Sequence, residues 1–478
     1  MRGQQFAETV IHAHEEKDDM AQQLHFNAFE MNTVSHINHG LWVHPENRRH
    51  EYTDIDFWIE TAQLLERGLF DAVFIADVVG TYDVYRGSRD PAVERAVQIP
   101  NNDPYLIVPA MAAETSRLGF AVTFATTYES PFANARRLST LDHLTRGRIA
   151  WNVVTGYLPD AARNFGLTEQ VSHDVRYELA EEFLDVSYKL WEGSWDQDAV
   201  VRDRERRVYT DPSKVHEIGH EGRFFTIDGP HLSEPSPQRT PVIFQAGSSS
   251  QGKNFAARNA EGVFVASRKL SGVAANVADL RDLAEEFGRG RNAVKAVASL
   301  NIVLGENEAE AKRKTEEVLS LRDIDGYLVH IGGGSGIDVA SVAKDEQLKF
   351  TGRGHVESQE ADLIRNSRGN GAQSIIDSVA NPRDDEFFVA GTPVQVADRI
   401  EEIAELTGVD GFNIVQYLSP GTFTDVVEML IPELQRRGRY RTRYEEGTLR
   451  ERLFPGQGPL LPESHPAAAY RGAFGGGK

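Results

Sequence analysis

The sequence predicts a (β/α)8 barrel (TIM barrel) of the α/β class, and three observations lead to this prediction. Short β-branched and aromatic runs alternate with longer segments of helical periodicity, eight candidate strands are found, and no G-x-G-x-x-G motif follows a strand. Near-continuous apolar strands such as AVFIA and TPVIFQA are typical of a parallel sheet buried on both faces. We therefore expect a barrel with insertions rather than an open dinucleotide-binding sheet.

The elements follow one another in a regular order. The eight candidate strands are residues 24–31, 71–76, 119–126, 148–155, 241–246, 262–266, 296–304 and 411–417. Three of the segments between them carry the start and stop signals of helices. DIDFWIETAQLLERG closes on Gly68, DPYLIVPAMAAETSRLG closes on Gly119, and SPFANARRLSTLDHLTRG opens with Ser-Pro and closes on Gly147.

The chain divides into a polar leader, a barrel domain and a tail. We expect the leader at residues 1–23, a single barrel domain at 24–445 and the C-terminal tail at 446–478. Insertions interrupt the barrel at about 195–238, where the composition indicates loops and a hairpin, and at about 321–381, after the seventh strand. Long insertions after barrel strands commonly build lids or pocket walls. The tail, with its Pro and Gly residues, is expected to wrap a surface or join an oligomer contact.

Composition excludes several classes of function. The chain has 478 residues, no cysteine, and a formal charge of −21 from 51 Lys+Arg and 72 Asp+Glu. Disulfides, iron–sulfur clusters, thiolate zinc sites and cysteine nucleophiles are excluded, and the acidic balance argues against nucleic acid and membrane surfaces as partners. The first residues lack the apolar core of a signal peptide, and no 18-residue apolar run occurs. We expect a cytoplasmic protein.

Two short motifs indicate an anion site. In QAGSSSQGKNFA a strand ends at Gly247, serines follow, and Gly252 opens a helix, so backbone N–H groups and hydroxyls can surround a phosphate. In SHDVRYELAEEF, His173 and Tyr177 share one face at the start of a helix whose expected N-cap is Ser172. The alternatives are a glycine-serine turn without a ligand and a helix start with ordinary surface residues.

Several histidines and carboxylates are candidate catalytic groups. The pair His12 and His14 has a spacing found in metal-dependent barrel hydrolases, but it precedes every predicted strand, and no metal site is expected. His36, just beyond the first strand, belongs to a loop that also contains His39, His44 and His50. Asp77 ends an apolar strand and should face the barrel mouth. A glycosidase would need a second carboxylate there, and Glu30 is the only obvious companion.

Several segments together carry a family resemblance. They are NTVSHINHGLWVHP, ERGLFDAVFIAD, GRIAWNVVTGYLPDAARNFGL, HDVRYELAEEFLDVSYKLWEGSWD, SPQRTPVIFQAGSSSQGKNFAARNAEGVF, and DGFNIV followed by PGTFTDVVEMLIPELQRRG. This pattern resembles the bacterial-luciferase-like flavin monooxygenases, in the group of the nitrilotriacetate and dibenzothiophene-sulfone monooxygenases. ADVVGTYDVYRGS, IPNNDP and SHPAAAYR look most like the dimethyl sulfide monooxygenases of this group.

The resemblance implies a two-component enzyme. A separate NAD(P)H:flavin reductase would supply FMNH2, and dioxygen would react with the bound flavin through a flavin hydroperoxide to oxidise a small organosulfur compound, such as a dialkyl sulfide, with C–S cleavage. The same flavin chemistry on an aminopolycarboxylate or an aryl sulfone is the alternative within the group. The resemblance also implies a homodimer or a homotetramer.

The resemblance assigns roles to individual residues. Five match cofactor-binding positions: Asp77 and Thr123 beside the isoalloxazine, His173 and Tyr177 at the phosphate and ribityl chain, and Ser249 at the phosphate. Four match the substrate pocket, namely Phe29, Phe74, Phe264 and the catalytic candidate His36. For Phe74 and Phe264, a place in the barrel core is the alternative. The sulfone-oxidising members carry a histidine where this chain has Gly334.

Three other functions stay open at this point. A deazaflavin-dependent dehydrogenase would share the superfamily and the barrel. A metal-dependent hydrolase would share the barrel but not the flavin motifs. A non-catalytic flavin-binding relative would share the motifs but not the reaction.

Overall fold

The computed structural model describes residues 23–247, 249–341 and 371–475. Its strands, numbered in chain order, are β1 His25–Met31, β2 Ala72–Ala76, β3 Gly119–Ala125, β4 Ile149–Val154, β5 Val200–Asp203, β6 Val208–Thr210, β7 His220–Glu221, β8 Thr226–Ile227, β9 Val242–Gln245, β10 Gly262–Phe264, β11 Lys295–Leu304, β12 Phe388–Gly391 and β13 Gly411–Val415.

Eight of these strands form a closed parallel barrel. Their order around the ring is β1, β2, β3, β4, β9, β10, β11 and β13, and β13 pairs again with β1. Each overlaps its expected position, so the predicted (β/α)8 barrel is confirmed. β12 pairs with the end of β11 and was not predicted, because a run of four residues is too short to show a periodicity.

The α-helices lie between the strands and in the insertions. In chain order the described helices are α1 Ile55–Arg67, α2 Asp90–Glu94, α3 Val108–Ala113, α4 Pro131–Thr145, α5 Pro159–Asn164, α6 His173–Tyr188, α7 Ser250–Asn259, α8 Leu270–Glu286, α9 Glu308–Ser320, α10 Ile324–Ser335, α11 Gly371–Ala380, α12 Pro393–Thr407, α13 Gly421–Asp425, α14 Ile431–Arg436 and α15 Leu449–Leu453. As predicted, α1 closes on Gly68, and Gly147 follows the end of α4 with φ +79°.

One expected helix is much shorter than its sequence pattern. The segment that was expected to continue to Gly119 ends its helix, α3, at Ala113. The buried guanidinium of Arg148 donates hydrogen bonds to the carbonyl oxygens of Ala112, Thr115 and Leu118 at 2.9–3.1 Å. The Glu66 carboxylate accepts the N–H groups of residues 116–118. These tertiary hydrogen bonds replace those that would continue the helix.

The base of the barrel is filled by the C-terminal segment. Leu449, Leu453 and Phe454 pack with the inward-facing residues of β2, β3, β4 and β9 in one buried cluster. Arg450 is fully buried, and its guanidinium donates to both carboxylate oxygens of Glu261 at 2.6 and 2.9 Å. The start of the predicted tail is therefore part of the barrel core, which leaves the opposite end of the barrel, at the carboxyl ends of the strands, for a site.

The insertions add material outside the barrel. Residues 195–238 contain two antiparallel hairpins, β5–β6 and β7–β8. The described parts of 321–381 contain α10 and α11, while residues 342–370 and most of the predicted leader, including His12 and His14, lie outside the described residues. Within the described ranges, no helix is both long enough and apolar enough to cross a membrane.

Candidate active site

The turn after β9 packs directly against the helix that carries the His/Tyr pair. A Cβ atom built on Gly247 or on Gly252 would lie 2.7 Å from the Tyr177 hydroxyl, and one on Gly247 would lie 2.9 Å from the Cα of Gly252. No side chain fits at such distances, so both glycines are needed for the turn to close on Tyr177. Ser249 is the N-cap of α7, and its hydroxyl accepts the Gly252 N–H at 2.9 Å. The two predicted anion motifs are therefore adjacent in space.

His173 is the first residue of α6. Its ring centre lies 5.0 Å from that of Tyr177, and its Nδ1 lies 3.0 Å from the Asp174 carboxylate. Ser172 takes the predicted N-cap position, but its side chain makes no capping hydrogen bond. The expectation of a capped helix start is wrong in this respect. The Ser172 hydroxyl therefore does not occupy the first turn of α6, which is the part of a helix that binds anions.

Thr123 and Asn152 form a polar pair inside the barrel, near the carboxyl ends of β3 and β4. The Asn152 side-chain amide donates to the Thr123 hydroxyl at 3.0 Å, and both residues are buried. The Oδ1 atom of Asn152 has no hydrogen-bond partner among the described residues. A buried amide oxygen without a partner is uncommon and is expected where a ligand or water binds. The family resemblance assigned a role to Thr123 and none to Asn152.

Asp77 follows β2, and its carboxyl accepts a hydrogen bond from the Asn101 amide at 2.7 Å. Burial raises the pKa of Asp77 to about 7, an effect that the Asn101 hydrogen bond opposes and the Asp103 carboxylate reinforces. The residue lines a cavity of about 320 Å³ between the segments that follow β2, β3 and β4, together with Tyr128 and Phe165. A carboxyl group of this kind can hold or release a proton near neutral pH.

Glu30 does not join Asp77. Its fully buried carboxylate is ion-paired with Arg49 and accepts hydrogen bonds from Gln416 and Ser419, each at 2.9 Å. These interactions occupy the Glu30 carboxylate and join neighbouring loops. Glu30 and Asp77 therefore do not form the two-carboxylate arrangement of a glycosidase. Among the described residues, no three His, Asp or Glu side chains gather as they would around a metal ion.

Three aromatic side chains from β1, β2 and β10 form a floor inside the barrel. Ring centres of Phe29 and Phe74 are 5.6 Å apart, those of Phe29 and Phe264 are 5.8 Å apart, and those of Phe74 and Phe264 are 4.5 Å apart. Phe74 is 1% exposed and also packs against Phe244, so it belongs to the core. Phe29 and Phe264 are only partly buried and cover it.

His36 stands at the edge of this floor. Its ring lies edge-on to Phe29 with centres 4.5 Å apart, and the residue is buried. Burial and the nearby His330 lower the pKa of His36 to about 3, so the imidazole is neutral at physiological pH. Its Nδ1 atom has no hydrogen-bond partner in the described parts of the chain. A neutral imidazole with one uncommitted nitrogen can orient a polar atom above the aromatic floor.

A polar network behind His36 was not predicted. The Tyr82 hydroxyl donates to Gln98 at 2.7 Å and lies 2.7 Å from the Tyr157 hydroxyl, and the Gln98 amide donates to the His36 carbonyl at 3.1 Å. These residues come from three separate loops. The quoted segments ADVVGTYDVYRGS and WNVVTGY contain the two tyrosines, but nothing in the sequence shows that their hydroxyls meet.

Helix α10 supplies an imidazole to the same region. His330 lies 3.0 Å from His39, Nδ1 to Nε2, and its ring contacts that of Tyr82 at 5.2 Å. Gly334, where the sulfone-oxidising members of the resembled group carry a histidine, lies one turn later on this helix. The imidazole that α10 places beside His39 and Tyr82 therefore belongs to His330 and not to position 334.

Comparison with known proteins agrees with this architecture. The pattern of the luciferase-like monooxygenase family matches residues 34–411. The chain is 51% identical to the long-chain alkane monooxygenase of Geobacillus thermodenitrificans, covering 95% of this chain and 99% of that one. It is 44% identical to the dimethyl-sulfide monooxygenase of Hyphomicrobium sulfonivorans, covering 95% of each.

A solved structure of riboflavin lyase with modified FMN and substrate riboflavin superposes with a TM-score of 0.87 at 35% identity, covering 94% of this chain and 100% of that one. The family pattern spans most of the barrel, and each relative matches nearly end to end. The chain belongs to the luciferase-like monooxygenases and is a flavin-dependent monooxygenase.

Proposed function

We propose that this protein uses reduced FMN and dioxygen to oxidise an uncharged, apolar substrate. The observation that carries the proposal is the aromatic floor of Phe29 and Phe264 over Phe74, beside a neutral His36. Such a pocket favours hydrocarbon or sulfide groups through burial of apolar surface. The described residues of this floor offer no counter-charge to an anionic substrate.

The site fits a flavin mononucleotide. The glycine turn with the Ser249 and Tyr177 hydroxyls and the start of α6 provide donors for a phosphate, in a space that no Cβ could share. The buried, unpartnered oxygen of Asn152 beside Thr123, and the Asp77 carboxyl, are suited to the polar edge of a flavin ring. These residues support FMN rather than a flavin without phosphate.

The residues of the chain would position and protect the reaction. When bound, the reduced flavin supplies the electrons that activate dioxygen. Phe29 and Phe264 exclude water from the space above the floor, and His36 orients a polar atom there through its uncommitted nitrogen. Asp77, with a pKa of about 7, can hold a proton at the cofactor at neutral pH.

Two classes of apolar substrate suit the pocket, and sequence identity to known monooxygenases decides which of them we put first. An alkane stands first, because the relative at 51% identity is a long-chain alkane monooxygenase. A dialkyl sulfide stands second, on the segments ADVVGTYDVYRGS and IPNNDP and the 44% identity to a dimethyl-sulfide monooxygenase. Polycarboxylate chelates and charged sulfonates are disfavoured because Asp77 would repel them when ionised and the floor contributes no cation.

A separate flavin reductase is the partner that this function requires. The chain has no dinucleotide-binding motif after any strand, so reduced FMN must come from an NAD(P)H:flavin reductase, by diffusion or by contact. One relative is named component A of nitrilotriacetate monooxygenase. A homodimer or homotetramer stays the expected assembly.

The proposal is tested with a substrate panel. The purified protein, a supplied flavin reductase, NADH and FMN would be incubated under 18O2 with n-alkanes, dialkyl sulfides, aryl sulfones, alkanesulfonates and aminopolycarboxylates. We expect one 18O atom in the product of an uncharged substrate and none with the charged ones. Turnover only of charged substrates would refute the apolar pocket. Oxygen uptake without any product would indicate a non-catalytic flavin binder, and substrate oxidation coupled to the reduction of an oxidised deazaflavin would indicate a dehydrogenase.

A further inference from the structure

Arg176 is a buried cation without a counter-charge beside the proposed phosphate turn. It lies in the first turn of α6 and is 5% exposed. Its guanidinium donates through Nη1 to the Val171 carbonyl at 2.7 Å, and its Nε has no partner in the described parts of the chain. No carboxylate among the described residues offsets its burial, which lowers its pKa. Arg450, by contrast, is buried with the Glu261 carboxylate as its partner, and Arg148 is buried among backbone carbonyl oxygens.

Arg176 lies near two tyrosines, one at the glycine turn and one close to the end of β4. Burial lowers the pKa of Arg176, whereas Tyr128 and Tyr177 raise it. Both tyrosines therefore lie close to the guanidinium. Tyr177 contacts the Gly247–Gly252 turn, and Tyr128 lies against Gly156, directly after β4. The Nη1 bond to Val171 directs the guanidinium toward the start of α6, where the Ser172 side chain makes no capping bond.

An unpaired guanidinium is costly to bury unless an anion completes its environment. We propose that Arg176 binds the phosphate monoester of the flavin cofactor, together with the N–H groups at the start of α6 and the Ser249 hydroxyl. This rests on the proposed use of FMN at this site. A phosphate offers several acceptor oxygens and a charge opposite to that of the guanidinium, and arginine is the side chain best suited to it. Arg176 thereby makes the protein selective for FMN over riboflavin.

The test compares FMN with riboflavin, which differs only in lacking the phosphate. Arg176→Met keeps much of the side-chain volume and removes the charge. We expect it to weaken FMN binding at least tenfold, measured by flavin fluorescence titration, while riboflavin affinity changes less than twofold. Arg258→Met on α7 is the matched control, because Arg258 is half exposed with its nearest carboxylate 4.0 Å away, and it should leave both affinities unchanged.

Arg176→Lys is the second variant, in case the methionine variant does not fold, and circular dichroism with a thermal melt establishes the fold of each. The lysine variant retains charge without the planar fork, so its preference for FMN should lie between those of the wild type and Arg176→Met. Equal losses of FMN and riboflavin affinity would show a structural role and overturn the inference, as would an unchanged FMN preference in both variants. If the wild type itself does not prefer FMN to riboflavin, the proposed phosphate site fails as a whole.

Discussion

Gly252→Ala probes the closest contact of the proposed phosphate turn. The added Cβ would lie 2.7 Å from the Tyr177 hydroxyl, 2.9 Å from the Gly247 Cα and 3.0 Å from the Gly247 carbonyl carbon. The hydroxyl can yield by a side-chain movement, but the two backbone atoms cannot, so the turn must open. Overpacking of this kind typically costs about 1–3 kcal/mol in the free energy of unfolding. If the same movement takes donors away from a phosphate, FMN affinity falls by a similar free energy, about 5- to 150-fold.

The assay pairs urea unfolding with an anaerobic titration of reduced FMN. Gly421→Ala is the control, because its nearest neighbour, the Leu418 Cβ, lies at an ordinary 3.4 Å. Combining Gly252→Ala with Tyr177→Phe removes the contact with the hydroxyl and leaves the two with the backbone, so stability should be regained only in part. A Gly252→Ala protein with wild-type stability and wild-type FMN affinity would show that the turn tolerates a side chain and that it does not hold the phosphate.

Three further predictions concern separate parts of the molecule. Because the folded pKa of Asp77, about 7, lies above its ordinary 3.8, the free energy of unfolding attributable to this group falls as pH rises from about 4 to 7, and Asp77→Asn should abolish that part of the pH dependence in urea titrations. His36→Ala should leave FMN affinity unchanged and lower the product formed per O2 consumed, whereas full coupling would exclude a role for His36. Arg450→Met, which leaves the buried Glu261 carboxylate without its partner, should cost about 3–5 kcal/mol in urea unfolding, whereas the control Arg436→Met on the surface should change the unfolding free energy far less.

Local patterns made the barrel predictable from the sequence. Apolar strands and glycine-terminated helices leave their periodicity in the chain, so all eight barrel strands were expected close to where they lie. The predictions went wrong where distant groups replace local hydrogen bonds. Arg148 and Glu66 end α3 early by taking its backbone groups, and neither is near that helix in sequence.

In the candidate site, too, short local motifs were predictable and contacts between distant residues were not. The glycine turn and the pair of His173 and Tyr177 are short motifs, so their chemistry is visible in the sequence, and the fold places Tyr177 on the turn. The contacts of Tyr82 with Gln98 and Tyr157 join residues that are distant in sequence. The burial of Arg176 without an acidic partner is likewise a property of the folded chain, and a sequence motif cannot show it.

We propose that FMN is held between the start of α6 and the turn after β9. The measurement that tests this most directly is the dissociation constant of reduced FMN for the Tyr177→Phe, Ser249→Ala double variant. Each substitution removes one hydroxyl, and hydrogen bonds to a charged group are worth about 1.5–3 kcal/mol each. If the unfolding free energy stays close to the wild-type value, we expect at least a tenfold weaker affinity for FMN, and a further loss when His173→Ala is added. Wild-type FMN affinity in the folded double and triple variants would contradict it.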